Sequence, residues 1–173
     1  ICTSSIMLNK GEIKAQGDNG EVIEAYYDIN FTKNKETLIY SNVCKLDFFR
    51  TEKNEFRGKQ NKLKILIGIN SEKQLSNIEL NLVISSRELV PICQGSSKFS
   101  NQKIELKKGH NEFVYQIEEL YLNTGIYKFA LTVDNCLTRE KYLWSQNLNP
   151  IKVLNEFTGV SPVILNGKWS SND

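Results

Sequence analysis

Two aromatic residues near the C-terminal end of the chain alternate along one segment and lie among polar side chains. Tyr142 and Trp144 are two positions apart, a spacing that puts both on one face of a β-strand. Exposed aromatic rings stack on the C–H-rich faces of sugars, while neighbouring amides and charged groups bind sugar hydroxyls. The polar residues expected to face outward near this pair are Asn81, Lys128, Thr132 and Gln146. These six residues form the predicted carbohydrate site.

A purely structural role for the two tryptophans is the alternative. Trp144 would then fill the interior of a β-sandwich instead of facing a ligand. Trp169 would either close one end of the sandwich or lie at an interface with a partner. These alternatives stay open at the level of the sequence.

Residue types that support catalysis are sparse. The single histidine, His110, falls in a predicted hairpin turn, and the spacing indicates neither a nucleophile nor an orienting partner for it. Glu118 and Glu119 fall in a predicted loop and are interpreted as solvated carboxylates rather than a glycosidase pair. The sequence also contains no G-x-x-x-x-G-K-[ST] phosphate loop. We therefore expect no enzymatic activity and no cofactor.

The four cysteines have no metal-binding spacing, because no two of them form a C-x-x-C pair. Their even number, together with the Asn30-Phe31-Thr32 sequon, leaves a secreted, disulfide-bonded protein as an alternative. Cys44 and Cys136, however, lie in apolar segments, where a free cysteine packs like a small hydrophobic residue. This favours reduced thiols in a cytoplasmic protein, and no metal is expected.

Chain length and net charge further narrow the class of protein. The chain has 173 residues, enough for one domain with its own core plus a short appendage. Lys and Arg total 22 against 20 Asp and Glu, so no basic excess indicates a nucleic-acid partner. No apolar run reaches the roughly 18 residues that a transmembrane helix needs.

The first 28 residues have a mixed pattern. Ile6–Leu8 and Glu12–Ala15 flank the turn signal Asn9-Lys10-Gly11 and predict a β-hairpin. Asp18, with Glu21 three residues later, is typical of a helix start. Residues 29–37 are polar and aperiodic, and are interpreted as a linker to a second domain over 38–173.

From about residue 38 the hydrophobic period changes to two. Successive segments alternate apolar and polar residues, and Cys44, Leu46 and Phe48 are expected to share an inward face. Weaker strands are predicted near 90–93, 103–106, 140–144, 151–154 and 162–165. Many short alternating strands predict an all-β fold, an antiparallel β-sandwich of jelly-roll or immunoglobulin-like type.

Several motifs resemble one family when taken in order. The stretch Ile6–Gly17, followed by a helix with Tyr26, resembles the last segment of an ABC-transporter nucleotide-binding domain. Two Leu-x-x-Gly motifs then precede alternating strands, and a Gly-x-x-Pro-Val-Ile-Leu-Asn-Gly-x-Trp segment closes the chain; they cover 106–109, 122–125 and 159–169. Together they resemble the C-terminal carbohydrate-binding domain of the Wzt family, the nucleotide-binding subunits of O-antigen polysaccharide exporters.

The resemblance implies a specific role. Such a domain recognises the modified non-reducing end of a lipid-linked O-antigen polysaccharide at the inner face of the inner membrane, which licenses export. ATP hydrolysis belongs to the preceding domain, and the partners are the transporter's nucleotide-binding and membrane subunits. It also implies a homodimer, in which the C-terminal strand is sometimes exchanged; the corresponding residues are Pro162, Val163, Ile164 and Leu165. The alternative is a dimerisation or coupling domain of the exporter that binds no glycan.

Overall fold

The computed structural model describes residues 3–19, 21–22, 25–26, 36–39, 43–57, 62–154 and 161–163. The chain divides into two compact units, Ile1–Lys35 and Glu36–Asp173. Within the described residues, no helix is long and apolar enough to span a membrane.

The first unit begins with a β-hairpin of β1 (Ser5–Asn9) and β2 (Glu12–Gly17). Lys10 and Gly11 both have positive φ angles, 52° and 83°, as a tight two-residue hairpin turn requires. Helical residues follow, and the Val22 N–H donates to the Asp18 carbonyl at 3.0 Å, which is the i→i−4 bond of a helix start. The hairpin and the helix start occur where the sequence predicted them.

The second unit consists of strands. They are β3 (Glu36–Ile39), β4 (Cys44–Thr51), β5 (Glu55–Arg57), β6 (Leu63–Ser71), β7 (Leu75–Ser86), β8 (Pro91–Ser96), β9 (Ile104–Leu106), β10 (Gly109–Ile117), β11 (Gly125–Asn135) and β12 (Lys141–Leu154). The small sheet has the order β10-β6-β4, and the large sheet has the order β3-β12-β11-β7-β8. Strand β9 also pairs with β7, and β5 pairs with β12 in a parallel arrangement. The predicted antiparallel β-sandwich is confirmed.

The core lies between the two sheets and follows the period-two pattern. Alternate residues of β6 and β11 are buried, namely Leu63, Ile65, Ile67 and Ile69 on β6 and Tyr127, Phe129, Leu131 and Val133 on β11. The Phe49 and Phe129 rings meet across the sheets with their centroids 5.5 Å apart. Each of these large side chains contributes about 1.5–3 kcal/mol by burial, so the inward rows hold the sandwich together.

Two predictions about strands are corrected, and a third lies partly outside the described residues. The segments predicted at 140–144 and 151–154 are one continuous strand, β12, because the chain continues to pair through a residue of positive φ, Asn147. His110 lies in strand β10 and not in a turn. The predicted strand at 162–165 is represented by a bridge from Val163 to Leu122, while Ile164 and Leu165 lie outside the described residues.

The inward position predicted for Phe48 is also wrong, because β4 contains a bulge. The register shifts between Leu46 and Phe48, so that Phe48 pairs with Gly68 and Phe49 enters the core. The Phe48 ring covers Gly68, with a ring carbon 2.6 Å from where a Cβ atom would lie. The absence of a side chain at Gly68 therefore leaves the space that the Phe48 ring occupies.

A second glycine, Gly95 in β8, accommodates the ring of Tyr115 from β10. A Cβ atom at Gly95 would overlap the Tyr115 hydroxyl and lie 2.6 Å from the ring carbon Cζ.

We predict that Gly95→Ala lowers the free energy of unfolding by about 1–3 kcal/mol through overpacking. Urea denaturation measures this change. Gly125→Ala is the control, because the nearest atom to its Cβ would be at an ordinary 3.4 Å. Equal effects of the two substitutions would contradict the prediction.

His110 links two strands of the small sheet across β6. Its Nδ1 lies 2.8 Å from Asp47 Oδ2 on β4, and its Nε2 lies 3.0 Å from Glu112 Oε1 on β10. The hydrogen bond to Glu112 and then the one to Asp47 raise the pKa of His110 above its usual 6.5. The protonated imidazole donates to both carboxylates.

This link predicts pH-dependent stability. Because the pKa is raised in the folded state, the stabilisation is complete below about pH 6.5. It disappears as the pH rises through the folded-state value. We expect His110→Gln to lower the free energy of unfolding more at pH 5.5 than at pH 8.5 in urea titrations. Lys64→Gln, an exposed change on β6 of the same sheet, should show no such difference. A His110→Gln effect that is constant or larger at pH 8.5 would refute the interpretation.

Candidate functional site

The outward face of the large sheet carries polar side chains at neighbouring positions. The inward residues of β11 are buried in the core, so Thr132 and Asp134 point to the opposite face. Asn81 of β7 is directly opposite Thr132 in the strand register. Gln94 of β8 and Lys141 of β12 extend the set on either side. We call these five residues the polar row.

A continuous set of hydrogen bonds joins the polar row. Asn81 Nδ2 donates to Thr132 Oγ1 at 3.3 Å and to Asp134 Oδ2 at 3.2 Å. Thr132 Oγ1 donates to the same carboxylate oxygen at 2.7 Å, and Gln94 Nε2 donates to Asn81 Oδ1 at 3.1 Å. Lys141 Nζ reaches Asp134 Oδ1 at 2.7 Å, forming a partly buried ion pair. The row is therefore fixed in place before any ligand arrives.

Trp144 lies beside the polar row. It is paired with Thr132 in the β11–β12 register, and both residues are half-buried. Gln146, two positions further along β12, is also half-buried. An aromatic ring thus neighbours hydroxyl, amide and carboxylate groups on one sheet face. This combination can contact the apolar face of a sugar and its hydroxyls together.

Tyr142 is not on this face, contrary to the predicted pairing with Trp144. The β11–β12 register shifts between Val133 and Asp134, and this irregularity breaks the alternation at the start of β12. Tyr142 is 6 % exposed and belongs to the hydrophobic core. The Asn135 amide lies 3.5 Å from its hydroxyl. Its ring therefore has no free face for stacking.

Lys128 shares the outward face of β11 but lies away from the polar row. It is four residues from Thr132, about 13 Å along the strand, and pairs with Ser85. It is only 8 % exposed. Desolvation by burial, followed by the positive charge of Arg87, lowers its pKa, and Glu88 opposes this shift. The structure thus brings Asn81, Thr132 and Trp144 together and separates Lys128 from them.

Sequence reasoning did not select three members of the polar row, namely Gln94, Asp134 and Lys141. The alternation on β11 already indicates that Asp134 faces outward with Thr132. Gln94 carries no comparable signal, because its contact with Asn81 depends on the β7–β8 register. Strand pairing, not residue type, identifies it.

The remaining residues that could take part in metal binding, redox chemistry or acid–base catalysis are the cysteines and the exposed carboxylates. In the part of the chain that the structure describes, no group of three or more His, Cys, Asp or Glu side chains could hold a metal ion. Cys44, Cys93 and Cys136 are free thiols. Glu118 forms an exposed ion pair with Lys62 at 2.8 Å, which lowers the pKa of its carboxyl group.

The fold and the polar outward face of the large sheet together define a class of protein. Its members are antiparallel β-sandwich domains with a polar sheet face beside an aromatic residue. Within this class the chain has the fold of the C-terminal domain of Wzt. The crystal structure of that domain superposes with a TM-score of 0.69 at 10 % sequence identity, covering 81 % of this chain and 90 % of that chain.

Other solved structures are less similar. A Niemann-Pick type C2 protein from the Japanese carpenter ant has a TM-score of 0.48 at 15 % identity, covering 70 % of this chain and 96 % of that chain. A β-glucuronidase from Bacteroides uniformis has a TM-score of 0.42 at 18 % identity, covering 61 % of this chain and 12 % of that chain. No protein-family model matches the sequence, and no curated protein matches it significantly.

The polar row predicts a coupled loss of stability. Asp134→Ala removes the acceptor shared by Lys141, Thr132 and Asn81. We expect the free energy of unfolding to fall by about 1–3 kcal/mol, because partly buried donors lose their partner. In urea denaturation, Asn81→Ala combined with Asp134→Ala should differ from the sum of the single effects by about 0.5 kcal/mol or more. The exposed Glu140→Ala control should change stability by less than about 0.5 kcal/mol. Additive effects would show that the two residues act independently.

Proposed function

We propose that the β-sandwich unit is a non-catalytic carbohydrate-binding domain of a polysaccharide ABC exporter. In this proposal it recognises the modified non-reducing end of a lipid-linked O-antigen polysaccharide, and recognition licenses export. The observation that carries the proposal is the polar row beside Trp144 on one sheet face. The shared fold with the Wzt C-terminal domain supports it.

The geometry suits sugar hydroxyls because the polar row offers both donors and acceptors. Asp134 and Thr132 supply acceptor oxygens, while Gln94, Asn81 and Lys141 supply N–H groups. The ring of Trp144 supplies an apolar surface next to them. A site with few contacts binds modestly, and dissociation constants from millimolar to micromolar correspond to about 4–8 kcal/mol.

The first unit and the C-terminal segment give the domain its proposed context. Residues 1–28 would be the end of a nucleotide-binding domain, and the protein would act at the cytoplasmic face of the inner membrane. The partners would be the transporter's nucleotide-binding and membrane subunits and a second copy of the chain. The Pro162 carbonyl accepts hydrogen bonds from the Asn123 N–H at 2.9 Å and the Tyr127 hydroxyl at 3.2 Å. These bonds dock the segment 161–163 on the sandwich. In this proposal the residues of the predicted dimer interface, 162–165, contact the second copy.

Trp144→Ala tests the proposed site. We expect the dissociation constant for O-polysaccharide to rise at least tenfold, because the stacking surface is lost. The probe is lipid-free O-polysaccharide from the strain that encodes this chain, titrated by calorimetry. The same glycan trimmed at its non-reducing end should bind at least tenfold more weakly to the unchanged protein.

The controls separate binding from folding. Tyr26→Ala removes an exposed aromatic residue from the other unit and should leave binding unchanged. Circular dichroism and thermal melting should match for all variants. If Trp144→Ala unfolds the domain, the residue is part of the core and the site assignment fails. If a folded dimer of the unchanged protein binds neither glycan, the coupling-domain alternative replaces the proposal.

A further inference from the structure

A cleft of about 620 Å³ opens at the end of the large sheet, next to the polar row. One wall is the loop that follows β8, and the other is the turn after β11 at Cys136 and Leu137. Its volume lies within the roughly 300–1,000 Å³ typical of small-molecule sites. No residue of the predicted carbohydrate site lines it.

The Glu79 side chain lines this cleft, and one of its two carboxylate oxygens has a hydrogen-bond partner among the described residues. Glu79 is 9 % exposed, and its Oε1 accepts a hydrogen bond from Ser96 Oγ at 2.9 Å. Its second oxygen, Oε2, accepts no hydrogen bond from any described residue, and Glu79 forms no ion pair with them. Oε2 is not one of the buried atoms that lack a partner, so it reaches the open space of the cleft. There it can accept a hydrogen bond from a ligand in place of water.

Glu79 also connects the cleft to the polar row. In the β7–β11 register it lies directly opposite Asp134, with both side chains on the outward face. Like charges at directly opposite positions destabilise a sheet. Asp134 is neutralised by Lys141, while the described residues offer Glu79 no such partner. A ligand hydroxyl in the cleft would give Glu79 a donor, as Lys141 does for Asp134.

The loop after β8 is held in shape by its own hydrogen bonds. Ser96 Oγ accepts from the Lys98 N–H at 3.1 Å, and the Ser97 carbonyl accepts from the Gln102 N–H at 2.9 Å. Ser97 Oγ also accepts from the Leu80 N–H at 3.0 Å, which ties the loop to β7. Ordering this wall on binding therefore costs little entropy.

The charges around the cleft indicate which ligand it accepts. Lys98 and Lys103 lie at its exposed edge and balance Glu79 and Glu105. A balanced cleft favours a neutral ligand, and Glu79 Oε2 can pair only with a hydrogen-bond donor of that ligand. A calcium site would need six to eight oxygen ligands, and Glu79 is the single buried carboxylate among the lining residues.

We propose that this cleft is a second saccharide subsite, in which a neutral sugar unit of the same glycan donates a hydroxyl hydrogen bond to Glu79. The inference rests on the proposed function, because it extends the site at the polar row by one or more sugar units. The glycan would run from Trp144 across the polar row into the cleft, so that affinity depends on internal units as well as on the chain end.

The chain's own thiols report on occupancy of the cleft. Cys136 lines it and is half-exposed, whereas Cys93 is exposed on β8 outside it and Cys44 is buried. The alkylation rate of each thiol by N-ethylmaleimide is followed by mass spectrometry with and without saturating O-polysaccharide. We expect Cys136 to react at least fivefold more slowly with the glycan, and Cys93 and Cys44 to keep their rates. Dextran serves as the non-matching polysaccharide.

Glu79→Gln tests the hydrogen bond directly. Glutamine keeps the contact with Ser96 but loses the charged acceptor, so the dissociation constant should rise about tenfold and Cys136 protection should disappear. Glu72→Gln, an exposed carboxylate outside the cleft, should change neither. Gln102→Ala changes an exposed lining side chain and provides a second variant if Glu79→Gln fails to fold; it should weaken binding and reduce protection.

The outcomes separate this inference from the proposed function. If the glycan binds with Trp144-dependent affinity but leaves the Cys136 rate unchanged, the subsite is refuted and the polar-row site stands. The same holds if Glu79→Gln and Gln102→Ala both bind as tightly as the unchanged protein. If neither calorimetry nor thiol protection detects binding to the folded protein, both proposals fail.

Discussion

The packing of two inward side-chain rows determines which residues of strands β6 and β11 face outward. The rows on β6 and β11 are buried along their whole length, and the Phe49 and Phe129 rings meet between them. Because the side-chain period of a strand is two, burying one row leaves no freedom for the opposite row. Thr132 and Asp134 face outward since Leu131 and Val133 face inward. The proposed binding face is thus a geometrical consequence of the core.

Regular alternation made most of the fold predictable from the sequence. The strands β6, β10 and β11 and the part of β7 from 78 to 85 alternate regularly, and their hydrophobic rows are the rows that the structure buries or half-buries. The turn at Lys10 and Gly11 was predictable for a different reason, since Gly11 accepts a positive φ angle without steric cost. Both signals are local, and local signals can be read from one sequence.

The candidate site was only partly predictable because it depends on register and on bulges. A single extra residue moves Phe48 out of the row of Cys44 and Leu46, and a similar irregularity takes Tyr142 away from the face of Trp144. Neither bulge has a glycine or proline signal. Pairing between distant strands brings Gln94 to Asn81 and Asp134 to Glu79. Nothing in the spacing along the chain encodes these contacts.

Strand β11 separates the residues that fold the domain from those proposed to bind its ligand. One face of the strand belongs to the core, and the other carries Thr132 and Asp134. Substitutions on the outward face can therefore alter recognition while the packing on the inward face is preserved. The Wzt C-terminal domain has the same fold at 10 % identity, which is compatible with such a division. Under the proposed function, a change of ligand specificity requires substitutions on one face of this strand, while the residues that hold the fold lie on the other face.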